Sequence, residues 1–149
     1  MAVITNTTRG VVLADHAEVA DGLLARLTGL LVRQALHDGE ALVIPRCSSI
    51  HTWWMRFPID VLFIRVQGAR CKVQGKNHEP STVNLEREVR NGVVVKIAQD
   101  LKPFRLAWSR GADMVIELPV NTISRTSTAL GERIAINVSD ASDIDGKSA

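Results

Sequence analysis

Between Ser48 and Asp60 the chain reads SSIHTWWMRFPID, which sets an imidazole, a guanidinium and a carboxylate among two tryptophans and a methionine. A histidine and an aspartate can move protons when both reach one substrate. The planar arginine fork suits carboxylate or phosphate. Tryptophan and methionine supply the apolar floor common to small-molecule sites. Strand alternation places His51, Trp53, Met55 and Phe57 on one face and Ile50, Thr52, Trp54 and Arg56 on the other. Two readings follow. In one, the stretch is an interior strand and the His51 ring bonds a backbone carbonyl. In the other, His51 and Asp60 stand at the rim of a pocket built with Trp53, Met55 and Arg56, with Arg105 nearby. Arg56 itself reads as a surface charge, as a partner of Asp60 or as an anion clamp.

Other chemistries fit less well. Cys47, His51, Cys71 and His78 would supply four zinc ligands, but C-x3-H followed by C-x6-H matches no common structural zinc pattern. On a strand, Cys47 and His51 would stand about 13 Å apart at roughly 3.3 Å per residue, too far to share one ion. The same distance separates Cys47 from His51 as a nucleophile and base. GARCKVQGKN has the wrong glycine spacing for a phosphate loop, and Asn77 stands where a Ser or Thr is needed. Asp143-x-Asp145-Gly146 lacks the later acidic ligand of a calcium loop. No metal and no cofactor are therefore expected.

These residues need a scaffold, and 149 residues with 46% hydrophobic and 23% charged side chains suffice for one domain with its own core. A net charge of +2 exerts no general pull toward nucleic acid or anionic membrane. Residues 61 to 110 hold ten basic and four acidic side chains. A nucleic-acid groove would want stacking aromatics among those charges. Phe63, Phe104 and Trp108 all read as lying in apolar surroundings, so nucleic acid is disfavoured. The opening residues lack an export signal and no stretch is apolar enough to span a membrane. A cytoplasmic chain with Cys47 and Cys71 as buried thiols is expected.

From Asp15 to Arg33, Val19, Leu23, Leu27, Leu30 and Leu31 recur at helical spacing behind an Asp15 cap, with Gly22 and Gly29 inside the pattern. ALVIP after Asp38-Gly39 predicts a strand ended by Pro45. Further strands are predicted over Cys47 to Met55, Ile59 to Val66, Gly92 to Ile97, Phe104 to Trp108, Met114 to Leu118 and Arg133 to Val138. The class is α+β, mainly β: a small curled antiparallel sheet or barrel with one or two short N-terminal helices. Residues 1–138 form a single domain in this reading. The polar, aperiodic segment from Gly68 to Arg90 and the tail 139–149 read as mobile.

The chain resembles the uncharacterised bacterial and archaeal family known as domain of unknown function number 192. Arg26, Gly29-Leu30 and Arg33 are similar to its GLM-x-R element, and SIHTWWMRFPIDVLFI to its most recognisable segment. LKPFR, ELPVNTI and LGERIAI, at residues 101–105, 117–123 and 130–136, resemble its later elements. Three positions depart from the pattern: residues 65–86 look like an insertion, Val120-Asn121 replaces Ala-Gly, and Glu132 replaces an aspartate. The resemblance implies a compact, mainly β domain with short helices. It implies no reaction, and some relatives carry export signals.

The expected function is a non-enzymatic module that binds a small molecule or partner protein through His51, Trp53, Met55, Arg56, Asp60 and Arg105. The alternative is an enzyme using His51 and Asp60 as a general acid/base pair in the same cleft.

Overall fold

The computed structural model describes residues 1–20, 22, 33–73 and 87–139. Nine strands lie among them: β1 (Ala2–Asn6), β2 (Val11–Val19), β3 (Glu40–Pro45), β4 (Ser49–His51), β5 (Ile59–Val73), β6 (Arg87–Leu101), β7 (Leu106–Trp108), β8 (Met114–Pro119) and β9 (Arg133–Val138). One short helix, α1 (Thr122–Thr126), follows β8.

Seven strands close a barrel in the order β1-β2-β3-β8-β5-β6-β9, and β4 pairs with β7 in a separate two-stranded sheet. The mainly β expectation and its barrel form hold. The N-terminal helices do not. Asp15 to Val19 belong to β2, which pairs with β1, and the rest of that predicted helix, residues 21 and 23–32, lies outside the described residues. The antiparallel expectation fails at one seam, because β2 runs parallel to β3, with His16 opposite Glu40 and Val19 opposite Val43. A parallel pair needs a crossover connection, so β2 and β3 are not joined as a hairpin.

The runs ALVIP, VLFI and MVI are apolar at consecutive positions because β3, β8 and residues 59–64 of β5 are buried on both faces. One set of side chains, including Val43, Leu62, Ile64, Met114, Ile116 and Leu118, fills the barrel with Ile4, Ile134 and Ile136. The alternate set, including Leu42, Ile44, Val61, Phe63 and Val115, faces outward and packs under Ile50, Met55 and Ala107. The β4–β7 sheet thus covers the outer wall of the barrel.

Gly92 pairs with Val66 in the β5–β6 ladder, and a Cβ there would collide with the Ile64 side chain and come within 2.8 Å of the Arg65 carbonyl oxygen. Past a register shift after Gln67 the β5–β6 ladder continues, pairing Cys71 with Val89 and Val73 with Arg87. Residues 68–73 and 87–90, expected to be aperiodic, are therefore strand; residues 74–86 and 140–149 lie outside the described residues. Among the described residues no helix is long and apolar enough to cross a membrane.

Candidate functional site

The stretch predicted as one strand is a short strand followed by a turn. After β4 ends at His51, the Met55 amide donates to the Thr52 carbonyl at 3.2 Å, and Trp54 adopts φ 68, in the left-handed region. Thr52 is the fixed point of this turn. Its Oγ1 donates to the Lys102 carbonyl at 2.7 Å and accepts the Arg105 amide at 2.8 Å. Its own amide donates to the Arg105 carbonyl at 2.9 Å, and its carbonyl accepts the Phe104 amide at 3.0 Å. These bonds dock the 52–55 turn onto the 102–105 loop, where Phe104 also has a positive φ, of 60.

Bulky side chains seldom adopt the left-handed region, which disfavours a non-glycine residue by roughly 1–3 kcal/mol. Trp54 and Phe104 do so side by side, with ring centroids 5.8 Å apart edge to face, and both remain open to solvent at 75% and 53% exposure. The register of the small sheet extends the same surface. His51 pairs with Leu106 and Ser49 with Trp108, so these four side chains share the outward face, while Ile50 and Ala107 turn inward to the wall. The His51 ring lies 5.1 Å from that of Trp53. Trp53, Leu106 and Trp108 are 45%, 53% and 56% exposed. All three tryptophans of the chain are therefore on this face.

Its electrostatics are one-sided. The two segments that build it, residues 46–58 and 102–112, contain Arg46, Arg56, Lys102, Arg105 and Arg110 and no acidic residue. All five are exposed. Lys96 adds a cation from β6: its Nζ donates to the Trp108 carbonyl at 2.7 Å and stands 5.4 Å from the Trp108 ring centroid. At the margin Asp100 approaches Lys102 at 3.6 Å.

The residues selected from sequence divide between this face and the core. His51, Trp53, Arg56 and Arg105 are on the surface side, whereas Met55 is buried in the outer-wall cluster. Asp60 is 1% exposed, and its two oxygens accept the amides of Asp100 at 2.9 Å and Ile123 at 3.0 Å. No hydrogen bond or ion pair joins His51 to Asp60. A cavity of about 230 Å³ between β3, β5, β6 and β8 is lined by Arg46, Val66, Gln67, Asn91 and Asp113, among others, and by none of the six expected residues. Cys47, expected as a buried thiol, is half-buried and free, its Sγ 3.0 Å from the Ser49 carbonyl. Trp54, Phe104, Leu106 and Trp108 are not among the residues expected at the site; the legible signal for them is the pair of acid-free segments.

A sequence profile of the family described as DUF192, an uncharacterized ACR, matches residues 4–89. The chain belongs to this family. The matched region includes SIHTWWMRFPIDVLFI and ends before LKPFR, ELPVNTI and LGERIAI. No curated protein matches significantly. Two solved structures share the fold at 18% identity. One, a protein of unknown function from Novosphingobium aromaticivorans, superposes with a TM-score of 0.59 over 89% of this chain and 81% of its own. The other, from Sinorhizobium meliloti, carries a provisional transcription-regulator label and superposes with a TM-score of 0.62 over 89% of each chain.

Proposed function

We propose that this DUF192 domain is a non-enzymatic binding module whose contact surface is the cationic aromatic face formed by the 52–55 turn, the 102–105 loop and the outer side of the β4–β7 sheet. The observation that carries this reading is the pair Trp54 and Phe104, two large rings held at positive φ and presented to solvent. Local strain combined with exposed apolar surface favours neither the folded state nor solubility. Such features persist where a partner uses them. In this reading His51, Trp53, Arg56 and Arg105 contribute to a face instead of a pocket; their exposure supports it. Asp60 serves this surface indirectly, by fixing the backbone of Asp100 just ahead of the 102–105 loop. With both its oxygens bonded to backbone amides, the acid/base alternative with His51 draws no support from the geometry.

The test is urea unfolding of Trp54→Asn and Phe104→Asn, followed by circular dichroism. Asparagine tolerates the left-handed region, so both substitutions relieve strain while deleting a ring. Midpoints equal to or above that of the wild type are expected, as for residues kept for function at the expense of stability. A loss of more than about 2 kcal/mol in either variant would show that the rings are structural and would remove the basis for the proposal.

A further inference from the structure

We infer that the occupant of this face is a single-stranded polynucleotide, an inference that rests on the reading of the face as a binding surface. Single strands present alternating chemistry, a planar base and an anionic phosphate at each step. Proteins that bind them without sequence preference combine stacking rings with a positively charged track. The face supplies both in alternation. Along one segment Lys102, Phe104, Arg105, Trp108 and Arg110 follow one another, and along the other Trp53, Trp54 and Arg56 do so, with no acidic residue in either. The two segments are brought side by side by the Thr52 hydrogen bonds and the β4–β7 pairing.

The expectation against nucleic acid rests on the net charge of +2 and on Phe63, Phe104 and Trp108 lying in apolar surroundings. Both are more than half exposed, and Lys96 stands over the Trp108 ring. Only Phe63 is buried as expected.

Charge interleaving also separates this occupant from an anionic bilayer. Interfacial anchors carry a continuous apolar face with their cations on the opposite, polar face. Here His51 lies between the Trp53 ring and Leu106, Arg105 separates Phe104 from Leu106 in the chain, and Lys96 reaches Trp108 from the adjoining strand. Inserting such a surface into lipid would carry polar and charged groups with it, whereas laying a strand across it pairs rings with bases and cations with phosphates.

Because every tryptophan is on the face, intrinsic fluorescence reports its occupation directly. The experiment titrates the full chain with a short oligothymidylate, a short oligouridylate and, separately, vesicles containing phosphatidylglycerol. Saturable quenching by an oligonucleotide is expected, since stacked bases quench indole emission. Affinity should fall about twenty-fold between about 50 and 200 mM salt if about three phosphates are neutralised. A double variant, Trp54→Asn with Phe104→Asn, should bind at least about tenfold more weakly. Arg56→Glu with Arg105→Glu should reduce the salt dependence by the share of about two phosphates.

Absence of quenching by both oligonucleotides, or quenching that neither double variant weakens, overturns the polynucleotide. A blue-shifted emission and co-sedimentation with the vesicles, without oligonucleotide quenching, overturns it in favour of a bilayer. In these cases unfolding midpoints of the asparagine variants at or above that of the wild type would leave the binding face standing with a different occupant. Unfolding of those variants would instead overturn the face itself.

Discussion

The carboxylate of Asp60, at the start of β5, accepts the amide of Ile123, 63 residues later in the chain, at 3.0 Å. Its other oxygen accepts the Asp100 amide at the end of β6. Ile123 lies in the first turn of α1, where a backbone amide has no partner within the helix, and Asp100 itself has a positive φ of 49. One buried carboxylate therefore ties β5, β6 and the chain leaving β8 at the same end of the barrel. Asp60→Asn keeps the size but turns one acceptor into a donor, which sets two donors against each other. The expected loss is about 2–3 kcal/mol by chemical denaturation, since a buried donor left without an acceptor loses its full desolvation energy. An unchanged midpoint would mean that the two amides find other acceptors and that Asp60 is free for another role.

Glu117 presents the opposite case. It is 6% exposed on β8, between Leu42 of β3 and Val61 of β5, and has no hydrogen-bond or ion-pair partner among the described residues. Burial alone pushes its carboxyl from the ordinary carboxylate range up to about 7. A folded-state value above the unfolded one means that the folded protein holds this proton more tightly. Its contribution to stability is complete below about pH 4.5 and is lost as pH rises to about 7. Between pH 5 and pH 8 the wild type should therefore lose about 2–3 kcal/mol relative to Glu117→Gln, whose side chain does not titrate. Parallel pH profiles for the two proteins would show that Glu117 is ionised in the fold at neutral pH.

These two carboxylates also mark the limit of what the sequence reveals. Doubly buried strands are legible: ALVIP, VLFI and MVI are uninterrupted apolar runs, and they form the wall formed by β3, β5 and β8. Strand β2 is not legible, because its burial follows no alternation and its pairing with β1 shifts register near Ile4. Its last residue, Val19, happens to start a helical spacing of apolar residues that runs on to Leu31. Nor does the sequence distinguish Asp60 as a tie from Asp60 at a pocket rim, since both partners are backbone amides that any residue could supply. The binding face is half legible. His51, Trp53 and Arg56 stand out by type, but the exposure of Trp108 and Phe104 depends on the pairing of β7 with β4, more than 50 residues away in the chain.

Gly92 tests the closure of the barrel. A methyl group added there meets the Arg65 carbonyl, which belongs to the ladder and cannot rotate away, as well as the Ile64 side chain. Overpacking against backbone costs about 1–3 kcal/mol. Gly92→Ala should lower the thermal midpoint accordingly, and amide exchange should increase first along the β5–β6 seam. A neutral substitution would mean that the strands can separate at this pair without loss.

Thr52 is the last test, because it connects the barrel to the proposed face. Its hydroxyl is completely buried, and it bonds both the Lys102 carbonyl and the Arg105 amide. Thr52→Val preserves the shape and removes both bonds, leaving an amide and a carbonyl unpaired. A loss of about 1–3 kcal/mol is expected. Thr52→Ser keeps the hydroxyl and should recover most of it. The informative readout is local: in the valine variant the 102–105 loop should exchange its amides faster while the β5–β8 seam stays protected, because the barrel does not use the Thr52 hydroxyl. If protection is lost evenly across the barrel, the turn and loop are part of the core, and the positive φ values of Trp54 and Phe104 are then a consequence of packing with no binding role.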